Sequence, residues 1–145
     1  ALPNPPVYIL GVGGPATRHD DIWQEEETAT SPVVLSAPTA FQMSGYNVKD
    51  IQFAEFYDCY TILVACFLED SGIWGMKKGD IGPFFASTDT TYKGTHPVNT
   101  DGGQLSGGQP GLAGGFRHAI EAVRQLMGRA GERQVAKHDL AMTNH

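Results

Sequence analysis

The run Glu55-Phe56-Tyr57-Asp58-Cys59-Tyr60 gathers five titratable side chains into six residues. It falls where an alternating stretch, Ile51 to Tyr57, meets one with helical spacing, Tyr60 to Gly72. A strand handing over to a helix exposes the helix's first N–H groups, which favour negative charge developing on a ligand. Tyr57 can donate to such charge, or exchange a proton if its pKa is lowered. The structural alternative is that Asp58 caps the helix while the aromatic rings pack.

A second candidate is the glycine-rich stretch Asn99-Thr100-Asp101-Gly102-Gly103 through Ser106-Gly107-Gly108-Gln109-Pro110-Gly111, ahead of a strongly apolar helix. Glycines there let a ligand approach the backbone closely. No Gly-Lys-Ser/Thr follows, so it is not a phosphate-cradling Walker loop, and the dinucleotide spacing is imperfect. Gly11-Val12-Gly13-Gly14 is followed by Pro15 and polar residues rather than by a helix. The third candidate is the end of the chain, Thr143-Asn144-His145. The histidines at 19, 96, 118 and 138 have no ligand spacing, which predicts no metal site. His19 with Asp20 and Asp21 reads as a solvated loop, and Lys77-Lys78 as a solvated turn.

The elements that must position these groups follow from periodicity. Val7 to Val12 predicts a buried strand ended by Gly13-Gly14-Pro15, and Arg18 to Thr30 a loop. Ser36-Ala37-Pro38 fits a helix start, with Gly45 as its stop. A strand is expected over Ile51 to Tyr57, then a core-facing helix carrying Tyr60, Leu63, Val64, Phe67 and Leu68 up to Gly72. Residues 75 to 94 read as loop with a strand around Phe84-Phe85, and Pro97 to Thr100 as another strand. Leu112, Phe116, Ala119, Ile120, Val123, Leu126 and Met127 form the clearest apolar stripe, a helix stopping at Gly128. Arg133 to Val135 leads to a last strand at Leu140-Ala141-Met142. Strands alternating with helices imply an α/β layer architecture.

Bulk properties narrow the class. The 145 residues suffice for one domain with a core, and 41% apolar with 18% charged residues is an ordinary globular composition. A net charge of −6 argues against a nucleic-acid surface, though not against an anionic ligand held by local groups. Cys59 and Cys66, expected in one helix and about 10 Å apart by its rise, are too distant for a disulfide. That favours a reduced, cytoplasmic compartment. The longest apolar run, Tyr60 to Leu68, is too short to span a bilayer.

Taken in order, these motifs resemble the C-terminal domain of thiolases. Glu55 to Tyr60 is similar to the strand–helix motif Glu-x-Asn-Glu-Ala-Phe of ordinary thiolases. It is closer to Glu-x-His-Asp-Cys-Phe of the sterol-carrier-protein-X, or lipid-transfer-protein, branch. Pro97 to Gly103 resembles the family's Asn-x-x-Gly-Gly stretch, and Ser106-Gly107-Gly108-Gln109-Pro110 stands where the family has Gly-His-Pro. Glu121 to Leu126 and Gly131 to Val135 look like the helix and turn common in the lipid-transfer branch.

The resemblance implies an α/β fold: a thiolase-like C-terminal half over residues 1–145, with helices packed on a mixed sheet. It also implies carbon–carbon or acyl-transfer chemistry on acyl-CoA thioesters in lipid or steroid metabolism. No covalently bound cofactor is expected; the CoA thioester is the substrate. Its catalytic positions map onto Tyr57, Gln109 and Asn144 or His145, and its substrate-binding positions onto Asp58, Gly102, Gly103, Ser106, Gly108 and Pro110. The nucleophilic cysteine belongs to an N-terminal half, and neither Cys59 nor Cys66 fits that role. Gln109 in place of histidine can donate to an oxyanion but cannot take a proton near neutral pH. Tyr57 replaces the family's Asn or His, and the chain stops before the expected glycine loop. Three readings stand: a thiolase-like acyltransferase; a retro-aldolase cleaving a β-hydroxyacyl-CoA such as a steroid side chain; and a non-catalytic acyl-CoA-binding or scaffold subunit. Alone, such a half would expose a large apolar face. The expected partners are therefore an N-terminal thiolase half, a homodimer-type assembly through it, and, for the aldolase, a small OB-fold protein with a zinc ribbon.

Overall fold

The computed structural model describes residues 3–14 and 29–144, without the side chain of Leu112. Five helices and two short strands follow in the order α1 (Val33–Ser44), β1 (Phe53–Glu55), α2 (Thr61–Ser71), α3 (Ile81–Ser87), α4 (Gly103–Gly107), α5 (Gly114–Leu126) and β2 (Ala141–Thr143).

β1 is the centre. It pairs in parallel with β2, Phe53 opposite Ala141 and Glu55 opposite Thr143. On its other side Ala54 forms a parallel bridge with Val98. Period-two alternation sends its side chains to two cores. Ala54 and, just beyond, Phe56 join Val33 and Ala37 of α1 and Phe67 and Leu68 of α2, whereas Phe53 meets Ala122 of α5 and Val135. Two helices on one face and α5 on the other give the α/β layering expected, with both described pairings parallel.

Several boundaries differ from the sequence-based expectation. Residues 7 to 12 form no strand; Ile9 is 85% exposed, and Tyr8 and Val12 are also exposed. The segment instead lies against α1 through its glycines: a Cβ on Gly11 would sit 2.2 Å from Ala40 O, and one on Gly13 would clash with Ser36 O. α1 begins three residues before Ser36 and contains Pro38. Its start is set by Ser31, whose N–H and hydroxyl both donate to Asp70 of α2. Gly45 ends it in the left-handed region, as expected (φ 74°). Phe84 and Phe85 lie in a helix, not a strand. Pro83 fits a first turn, and Glu69 accepts from the N–H groups of Gly79 and Ile81 at its mouth. Residues 97 to 100 contribute only the bridge at Val98, because Pro97 has no N–H and Asn99 turns away at φ 49°. α2 starts at Thr61, which leaves Cys59 outside the helix, and both cysteines are free. Lys78, at the expected solvated turn, reaches Asp70 at 2.9 Å.

α5 lies where the apolar stripe predicts a helix; Leu126 packs against the Phe53 core, while the middle of the stripe faces outward. Phe116 is 70% exposed, with Ile120 and Val123 beside it, while His118, Glu121, Ala122 and Gln125 are buried. No helix among the described residues is long and apolar enough to cross a membrane.

Candidate functional site at the end of β1

β1 ends at Glu55, yet the backbone stays extended because two asparagine side chains continue its ladder. Asn99 Oδ1 accepts from Phe56 N–H at 2.7 Å while its Nδ2 donates to Phe56 C=O at 2.9 Å. From the other side Asn144 Oδ1 accepts from Tyr57 N–H at 2.9 Å. An amide side chain reproduces the donor and acceptor of a backbone peptide, so both neighbours hold Tyr57 as strands would. Asn144, expected among the catalytic residues, is thus on the backbone of Tyr57; His145, His19, Asp20 and Asp21 lie outside the described residues.

Tyr57 and Gln109, 52 positions apart, are brought together. Gln109 Nε2 donates to the Tyr57 hydroxyl at 2.8 Å, at the protein surface. The Tyr57 pKa is raised, chiefly by burial and then by the Cys59 thiol beside it, with the Gln109 bond acting in the opposite direction. Tyr57 therefore keeps its proton at neutral pH, and the lowered pKa that proton exchange would require is not found. Because the hydroxyl oxygen accepts from Gln109, its own proton remains for donation, to the Cys59 thiol beside it or to a ligand.

Asp58 does not cap α2, which begins after the extended residue Tyr60. Nor does it face the surface: it is 3% exposed, and it accepts from Gln104 N–H at 2.8 Å and Leu105 N–H at 3.4 Å in α4. Gly102 and Gly103 (φ 86° and 61°) make the turn into α4. Gly103 is buried, and a Cβ there would lie 2.1 Å from Asp58 Oδ2. Ser106, Gly108 and Pro110 are exposed around Gln109.

Beneath the site lies a polar network that sequence reading missed. Thr100 hydroxyl meets Glu55 Oε1 at 2.6 Å and Glu121 Oε1 at 3.2 Å, and Gln125 Nε2 donates to Thr100 and Glu121. Arg133 closes it at 3.2 Å from Glu121 Oε2. Burial pushes the Glu55 carboxyl up to about 8, against the lowering by Thr100, with Asp101 and Glu121 adding to the rise. Glu55 is therefore largely neutral at pH 7. The signal was legible: His118, Glu121 and Gln125 repeat at helical spacing opposite the apolar stripe. On the outer side of α5 an open groove of about 520 Å³ is lined by Pro110, Phe116, Arg117, Ile120 and Arg133 among others.

Comparison with known proteins decides the family. The thiolase C-terminal domain-like family matches residues 14–145. The chain belongs to it. Among its relatives, acetyl-CoA acetyltransferase of Methanothermobacter thermautotrophicus is 34% identical over 143 residues, covering 97% of this chain and 36% of that protein. Sterol carrier protein 2 of Oryctolagus cuniculus is 32% identical over 76% of this chain and 20% of its own. The 17-hydroxy-3-oxo-4-pregnene-20-carboxyl-CoA lyase of Mycobacterium tuberculosis is 36% identical over 59% of this chain and 21% of its own. Among solved structures, the Ltp2-ChsH2(DUF35) aldolase matches with a TM-score of 0.82 and 29% identity over 97% of this chain and 36% of that one. The chain spans roughly a third or less of the length of these relatives. The thiolase-type resemblance and its α/β fold are borne out. The acetyltransferase, lyase and aldolase among its relatives make this thiolase-like family a catalytic one.

Proposed function

We propose that this domain is the C-terminal part of an enzyme that makes or breaks carbon–carbon bonds in acyl-CoA thioesters, with Tyr57 as hydrogen-bond donor to the thioester oxygen. The observation that carries this is the Tyr57–Gln109 contact at 2.8 Å at a surface site, in which the hydroxyl accepts and so keeps its own proton to donate. Making or breaking a bond to the α-carbon of a thioester places negative charge on the thioester oxygen as an enolate. A fixed donor there stabilises the transition state more than the ground state. Asn99 and Asn144 supply the fixing by holding the backbone on either side.

Within this class, retro-aldol cleavage is favoured over thiolysis. In retro-aldol cleavage the β-hydroxyl loses its proton, the Cα–Cβ bond breaks, and the electron pair passes to the thioester as the enolate while a carbonyl forms at Cβ. No acyl-cysteine is needed. Gln109 cannot carry a proton in the way that thiolysis requires of the residue at this position, and Tyr57 is a protonated donor rather than a base. The proton acceptor is then a group other than these two. The relatives named as a CoA-ester lyase and an aldolase support the same choice.

The outward apolar stripe of α5 and the exposed Tyr8, Ile9 and Val12 support a partner, for which we propose the N-terminal thiolase half. Homodimer-type assembly through that half and an OB-fold/zinc-ribbon protein complete the proposed partners. The test is Tyr57→Phe in the complete protein: turnover should fall about 100-fold or more while CoA-thioester affinity by calorimetry holds. Unchanged turnover would overturn the role of Tyr57 and leave a binding or scaffold subunit.

A further inference from the structure

Tyr57 and Asp58 are neighbours, yet their side chains grip the glycine-rich segment at its two ends. Asp58 accepts from the N–H groups of Gln104 and Leu105, and Tyr57 accepts from the side chain of Gln109. Between these grips lie the last turn of α4 and Gly108, which adopts φ 88° with nothing within 4 Å of its Cβ position. Nothing packs on Gly108 itself, so Gln109 is placed by its short covalent link to α4 and by α5, where a Cβ on Gly114 would lie 3.2 Å from its Cγ.

That anchor is built from buried parts. His118 of α5 is 1% exposed, with Nε2 3.2 Å from Asp58 Oδ1 and its ring edge-on to that of Tyr57 at 6.3 Å between centroids. A carboxylate only accepts, so Nε2 carries the proton. The Gln104 side-chain amide lies 3.1 Å from the same nitrogen. The structure sets the amide nitrogen toward the ring and leaves Oε1 without a partner; turned over, the oxygen would share that proton and the nitrogen would take the unpartnered place. Shielded from water, these bonds compete with no solvent, and losing one partner leaves the other unsatisfied.

We propose that Asp58, braced by His118, is a positioning couple that sets the Gln109 amide on the Tyr57 hydroxyl. Resting on the catalytic reading of that pair, it gives Asp58 a positioning role in place of the substrate contact expected from sequence. The test uses the complete protein labelled with ¹⁵N-glutamine, with Tyr57→Phe marking the Gln109 side-chain amide signal when its acceptor is gone. In Asp58→Ala and His118→Leu the signal should move to that position, and kcat should fall by about tenfold to a hundredfold with KM unchanged. His118→Gln, which keeps an N–H donor, should restore both. Asp58→Asn serves if the alanine variant fails to fold, with a smaller shift in the same direction. A Gln109 signal unmoved in the Asp58 and His118 variants, or unmoved even in Tyr57→Phe, would overturn the couple. So would a change confined to KM. A moved signal with unchanged turnover supports the couple and overturns the catalytic reading of Tyr57 instead.

Discussion

On its inner side α5 buries His118, Glu121 and Gln125; on its outer side it exposes Phe116, Ile120 and Val123. The usual amphipathic arrangement is turned around. Inside, burial of polar groups is tolerated because the network gives most of them partners: Gln125 alone donates to Thr100, Glu121 and Arg133 C=O and accepts from Val135 N–H. Outside, a strip of apolar surface beside an open groove is left uncovered by the described residues. Such a helix suits the middle layer of the larger assembly proposed above, and this chain spans about a third of the acetyltransferase relative.

The comparison breaks if the inner face proves dispensable. Gln125→Leu should have the largest effect, destabilising the fold by about 2–5 kcal/mol in urea unfolding, because two buried backbone groups lose their partners. A loss below about 0.5 kcal/mol would show that the network is not structural.

The second test exploits pH. Glu55 has its folded pKa raised from 4.5 to about 8, so between those values the folded state binds more protons than the unfolded one. Stability is therefore fully present below pH 4.5 and falls as pH rises toward about 8, by at most about 1.4 kcal/mol per pH unit. Glu55→Gln keeps an acceptor for Thr100 and stays neutral, so its unfolding free energy should lack this slope. A parallel slope in both proteins would mean that Glu55 is ionised in the fold.

The smallest effect is expected outside. Phe116→Ser should change the stability of the 145-residue chain by no more than about 0.5 kcal/mol. The same substitution in the assembled protein should weaken association with the N-terminal half by about 2 kcal/mol, read by titration, if Phe116 is a buried anchor there. Equal effects in both settings would mean that α5 has no outer partner.

Much of this was written in local pattern. Gly45, Gly72 and Gly128 were read as helix stops, and each lies in the left-handed region that glycine adopts without penalty. The strand-to-helix turn at Tyr57 and the glycine-rich approach to α5 were legible because turn chemistry is local, and the ordered motifs carried the family. Tyr57 and Gln109 were named singly from those motifs. What only the tertiary structure decided were pairings and directions. Periodicity locates an apolar face but cannot say whether this chain or another covers it, so it placed the helix of α5 and left the direction of its stripe open. Asp58 was read as a cap for the helix that follows it, whereas its buried carboxylate serves α4, more than forty residues away. Asn99 and Asn144 flank β1 only because parallel pairing brings three distant segments side by side. Local sequence sets backbone preferences within a few residues; which buried donor meets which acceptor is settled when the layers close and water is excluded.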